Sequence, residues 1–130
     1  PLDEKKQEQV SIKIYGSTFF WPSRITMNPY FMKLMPRDVD ILITHTPPVS
    51  KVDGGSGEET IAQLIERKLI APSLIVCGHM HSSHGCDNET YESTTIVNAA
   101  NCTSHAKIGY NPILVEYDCK KKRCIKTTEY

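Results

Sequence analysis

The sequence predicts an α/β fold with mixed sheets and one clear helix. Two apolar runs, Ile41-Leu42-Ile43-Thr44 and Leu74-Ile75-Val76-Cys77, are continuous rather than alternating, the pattern of strands covered on both faces. Between them Ile61, Leu64, Ile65 and Leu69 recur at helical intervals, with Glu66, Arg67 and Lys68 at or near the opposite face. Beyond them, short β-branched segments follow without helical spacing. Strand, helix, strand, then a meander is the expected order.

Element by element, Ser11-Ile12-Lys13-Ile14-Tyr15 alternates polar and apolar and stops at Gly16, which predicts a half-buried strand with Ile12 and Ile14 inward. From Ser17 to Pro36 the residues Phe19, Phe20, Trp21, Tyr30, Phe31, Met32 and Leu34 are interrupted by Pro22 and Pro29. That favours a loop and a short helix near Pro29 to Met35. Its aromatics read first as a plug over the core and second as a loop that contacts substrate. Thr46-Pro47-Pro48 cannot continue a ladder, and Asp53-Gly54-Gly55-Ser56-Gly57 is a flexible turn. Ser56 and Glu59 have capping-box spacing, so the helix is expected to start there, to pack Ile61 to Leu69 on a sheet, and to end at Pro72. The segments Thr94 to Asn98, Ile113 to Tyr117 and Cys124 to Thr128 read as antiparallel strands, and Lys120 to Arg123 as a solvated hairpin turn.

A chain of 130 residues fits one domain. Fifteen basic residues against fifteen acidic ones create no global field toward nucleic acid or an anionic membrane, so an anionic ligand must be attracted locally. No apolar run approaches the ~20 residues a membrane span needs. The opening PLDEKKQEQ has no signal-peptide h-region and no transit-peptide character. Five cysteines without CxxC spacing indicate neither a zinc ribbon nor a closed disulfide framework. They read as reduced thiols, and the expected location is cytoplasmic. The sequons at Asn88 and Asn101 are read as silent.

Chemistry concentrates on histidine. His45 follows the first apolar strand, and Gly78-His79-Met80-His81 follows the second. In open α/β sheets ligands gather outside the carboxyl ends of strands. Imidazole suits Mn, Fe, Zn, Co or Ni, and histidines two apart on a tight loop can aim at two neighbouring metals. By spacing alone, packed or surface histidines are the commoner case. A single structural metal at His45 and His79 with Cys77 nearby is a further reading. His84 and Asn98 are possible pocket residues, although a solvent-facing His84 is the plainer expectation. His105 is expected to be structural or exposed.

The strings ILITHTPP, LIVCGHMH, TTIVNAANC and NPILVEYD together resemble the C-terminal half of the calcineurin-like metallophosphoesterases, in particular their small single-domain branch. The resemblance runs from about Ile12 to Asp118. It implies the C-terminal half of a four-layer α/β/β/α sandwich, with residues 1–130 forming part of one domain. It further implies that His45 and His79 bind one divalent metal and His81 its neighbour, and that two-metal activation of water hydrolyses a phosphodiester or phosphomonoester. The partner is then a phosphate-ester small molecule, a nucleotide being one case. Asn98 and Asn101 are expected to fix a turn beside the site. The family's earlier D-x-H, G-D-x-x and G-N-H motifs do not occur here. Three neutral imidazoles alone hold two divalent charges poorly. The chain is therefore read as a fragment, inactive alone and completed by the missing N-terminal half of the same domain. The alternative is a non-catalytic binding or dimerisation module that retains the fold.

Overall fold

The computed structural model describes residues 8–17, 33–103 and 105–130. The two continuous apolar runs become neighbouring strands, β2 (Ile41–Thr44) and β3 (Leu74–Cys77), inside a five-stranded sheet. Its other members are β1 (Ile14–Ser17), β4 (Gly85–Tyr91) and β5 (Thr94–Asn98), in the order β1-β2-β3-β5-β4. The first four in that order run parallel, and β4 closes the edge antiparallel to β5. A separate hairpin pairs β6 (Ile113–Asp118) with β7 (Arg123–Glu129). Its Tyr117 hydroxyl is hydrogen-bonded to Ser73 Oγ at 2.7 Å, and Lys122 pairs with Asp40 at 3.1 Å. Among the described residues the fold is thus α/β with mixed sheets and one clear α-helix, α1 (Glu59–Glu66).

The core follows from the register. Leu42 lies opposite Ile75, and Ile75 opposite Ile96, so three side chains stack across adjacent strands on one face. All three are fully buried, together with Ile61 and Leu64 of α1. Full burial of each such side chain contributes roughly 1.5–3 kcal/mol relative to exposure. This packing, more than helix propensity, holds an element of only eight residues.

Several expectations are corrected. The first strand begins at Ile14 rather than Ser11, and Ile14 is 61% exposed. Parallel pairing puts Tyr15 opposite Leu42, so Tyr15 rather than Ile14 packs on the core. Thr94–Asn98 is not part of an antiparallel meander alone, since it runs parallel beside β3. The neighbouring strand β4, with the sequence GCDNETY, was not expected, because Gly, Asp and Asn are depleted in strands. Finally, α1 is capped by Glu58, whose side chain accepts from the Thr60 N–H at 3.1 Å, whereas Ser56 N–H closes a turn on Asp53. Glu58 wins that role because its own N–H donates to Pro47 at 2.8 Å, which anchors it to the preceding loop. The aromatic segment from Phe19 to Met32, with most of the short helix expected near Pro29 to Met35, lies outside the described residues.

The helix also ends before its expected limit, well short of Pro72. Lys68 adopts φ 55°, its N–H donates to Ile65 O, and Leu69 N–H donates to Leu64 O, both at 2.9 Å. This is a Schellman motif with lysine at the left-handed position that glycine prefers. Ile70 is therefore buried in place of Leu69. Lys68→Gly is expected to raise stability by about 1 kcal/mol by removing the left-handed penalty. Urea unfolding checks this, and a loss of stability would contradict the strain argument.

Candidate functional site

The carboxyl ends of β2, β3 and β5 lie side by side, and the loops leaving them carry the candidate site residues. His45 is the first residue after β2; its carbonyl accepts the Gly78 N–H at 3.0 Å, which extends the ladder beyond both strands. The His45 and His79 rings consequently meet, with centroids 4.8 Å apart and planes tilted by 43°. His79 takes φ 65°, and Met80 N–H then turns back to Gly78 O at 2.7 Å. His81 opens a short 3₁₀ turn, His81–Ser83. Its Nδ1 lies 3.0 Å from the carbonyl of Thr103. A carbonyl only accepts, so Nδ1 carries a proton in this contact, the kind of backbone support that metal-binding histidines commonly have.

Burial lowers the His79 pKa from the ordinary 6.5, and the nearby His45 and His81 add to that effect in the same direction. The crowding keeps His79 neutral around pH 7, the form that donates a lone pair. Among the described residues, however, no group of three or more His, Cys, Asp or Glu side chains could hold a metal ion. Cys77 does not enlarge the set. Its thiol is buried, donates to Val97 O at 3.4 Å, and is pushed up to about 12 by desolvation. That geometry disfavours a metal held by Cys77 with the two histidines.

The loop between β2 and α1 is held by residues distant in sequence. Tyr91 donates its hydroxyl to Val49 O at 2.7 Å, and Lys51 N–H donates to Asp87 Oδ2 at 2.8 Å. Asn98, fully buried at the end of β5, donates to Val52 O, Met80 O and Ser83 O at 3.1, 2.9 and 2.9 Å. Its Oδ1 accepts from Ala100 N–H at 3.1 Å. His84 is buried where a solvent-facing ring was expected, with its side chain 3% exposed. Its Nδ1 contacts Ala100 O at 2.9 Å and its ring stacks on Tyr110 at 4.8 Å. Nε2 lies 3.1 Å from Glu129 Oε1, close as an ion pair but outside hydrogen-bond alignment. His105 and Asn101 are exposed. A cavity of about 530 Å³ beside Ser73, Thr95 and Lys121 includes none of the predicted site residues.

Asp87 is the support that sequence reasoning missed; its spacing to Thr90, which returns a hydroxyl and a backbone N–H to it, is the local signal. Burial would push the Asp87 carboxyl up, but hydrogen bonds from Thr90, Lys51 and Glu89 outweigh it and hold the group at about 2. A carboxyl depressed from 3.8 stabilises the fold above pH 4 and loses that contribution as pH falls toward 2. Its worth is about 2 kcal/mol. Urea unfolding at pH 7 and pH 3 is expected to show a smaller acid loss in Asp87→Asn than in the parent; identical losses would exclude this role.

No protein-family model matches the chain. It is 30% identical to a UPF0046 protein of Caenorhabditis elegans over 88% of this chain and 46% of that protein. A second UPF0046 protein of the same organism is 30% identical over 87% of this chain and 41% of its own length. Metallophosphoesterase domain-containing protein 1 of Homo sapiens is 34% identical over 62% of this chain and 24% of that protein. The chain spans less than half the length of the relatives it matches. No helix among the described residues is long and apolar enough to cross a membrane.

Proposed function

We propose that the chain contributes three histidines to a two-metal phosphoesterase site, His45 and His79 to one divalent ion and His81 to its neighbour. The observation that carries this reading is the 4.8 Å approach of the His45 and His79 rings at the carboxyl ends of adjacent strands. The similarity to metallophosphoesterase domain-containing protein 1 supports the reaction class. Three imidazoles fit part of such a centre and lack its carboxylates, so the remaining ligands belong to the N-terminal half of the same domain, which would also complete a four-layer sandwich. Divalent ions held there would supply Lewis-acid polarisation of a phosphate ester and a lowered pKa for water. The residues of this chain orient: His81 through Thr103 O, His79 through its turn, His45 through the ladder extension. The substrate is a small phosphodiester or phosphomonoester, a nucleotide among them. Manganese, iron, zinc, cobalt and nickel all suit imidazole. Five cysteines free of disulfides accord with a reducing, cytoplasmic setting.

Bis-p-nitrophenyl phosphate hydrolysis by the full-length protein with added Mn²⁺, alongside elemental analysis, tests the reading. Activity and about two metal equivalents are expected. A second reading, a non-catalytic binding or dimerisation module that retains the fold, is favoured by the lack of a three-ligand group among the described residues. A folded full-length protein that contains no metal and shows no hydrolysis with added Mn²⁺ would favour that module over the enzyme.

A further inference from the structure

We infer that Asn98 is the positioning residue of the histidine site, setting the relative placement of the loops that carry His45, His79 and His81. This rests on the reading of those histidines as a functional site and goes beyond it by assigning what holds them. Asn98 ends β5, paired with Cys77 at the end of β3, and its side chain has no solvent access. It spans the junction of three loops. Val52 belongs to the loop that His45 opens, Met80 stands between His79 and His81, and Ser83 closes the His81 turn. Two amide N–H bonds serve these three carbonyls, while Oδ1 takes the Ala100 N–H. The opposite orientation of the amide would set its oxygen against three carbonyls, so only one placement of the group is favourable.

The bracket closes on itself through His84, which follows Ser83 and contacts Ala100 O at 2.9 Å. Asn98 therefore ties Ser83 directly, and ties His84 through the loop at Ala100. The Tyr110 stack and Glu129 extend this closed ring to the chain's last strand. An aliphatic side chain at position 98 would leave the three carbonyls without the donor that now joins them, and any replacement water would not be tethered to β5. The loops would then separate, with the strands beneath them intact.

The test compares Asn98→Ala with Thr94→Val in the full-length protein. Thr94 makes a buried hydrogen bond to Pro72 O at the other end of the same strand, so its loss matches the energetic class without touching the site. Asn98→Ser, which keeps one hydroxyl, covers the case in which the alanine variant does not fold. Amide hydrogen exchange, normalised to global stability, is expected to rise at least about tenfold across residues 45–53 and 79–84 in the Asn98 variants and not in Thr94→Val. Co²⁺ titration is expected to show a 10–100-fold rise in Kd, the usual cost of losing support behind metal ligands. Equal exchange in both variants, or unchanged Co²⁺ affinity, would overturn the inference. A parent protein that binds no Co²⁺ would refute the metal reading, and the exchange comparison would still decide the role of Asn98.

Discussion

In the full-length protein, His79→Gly is expected to abolish Mn²⁺-dependent hydrolysis while making the fold more stable. His79 sits at φ 65°, where a side chain with Cβ costs about 1 kcal/mol more than glycine. The backbone cannot relax out of that conformation, because Gly78 N–H is committed to His45 O and Met80 N–H to Gly78 O. Glycine removes the strain and keeps the turn, raising the melting temperature by about 4 °C. Loss of a metal ligand removes stabilisation of the transition state, and a fall on the order of 1,000-fold in kcat/KM corresponds to about 4 kcal/mol. His79→Ala loses the same activity and retains the strain, so its melting temperature stays near that of the parent. The pair separates ligand from backbone. Hydrolysis that survives in both variants would end the assignment of His79, whereas unchanged stability in the glycine variant would show that its φ carries no strain.

The parts of this site that were legible in the sequence are those set by local pattern. Continuous apolar runs placed β2 and β3, and the residues just beyond them were histidines, so His45 and His79 could be located at strand ends before any geometry was known. Adjacency of the two strands then brings the rings together. What supports them was not legible, because it is non-local. Asn98 reaches Val52 across 46 residues, Lys51 reaches Asp87 across 36, and His81 reaches Thr103 across 22. No periodicity encodes such pairs. The same cause explains the misplaced helix cap: Ser56 has the better local spacing, but the Pro47 contact selects Glu58. The edge strand β4 escaped notice for a related reason. Its polar residues are poor strand formers, yet β5 offers them a ladder and Asp87 holds the irregular stretch between itself and Tyr91.

The segment joined by the contact between Glu58 and Pro47 tolerates little added volume, and Gly57→Ala is expected to cost about 3 kcal/mol. A Cβ at Gly57 would lie 2.4 Å from Val49 Cα, 2.6 Å from Val49 N and 2.6 Å from Asp53 Oδ2. Two of these atoms are backbone, so no rotamer change relieves the clash. The loop of residues 47–49 must move away from Gly57 and Glu58. Overpacking of this kind costs roughly 1–3 kcal/mol. Displacement also breaks the Glu58 N–H bond to Pro47 O and loosens the cap of α1, each worth about 1 kcal/mol. The expected drop in melting temperature is about 12 °C. His45 lies two residues before Pro47, so the distortion should reach the site before the protein unfolds. The control is Gly16→Ala in β1, where no atom lies within 4 Å of the added Cβ and little change is expected. Calorimetry on both variants checks the difference; a Gly57→Ala melting temperature equal to that of Gly16→Ala would mean that the loop yields freely and that the close packing between residues 47–49 and the start of α1 carries no such cost.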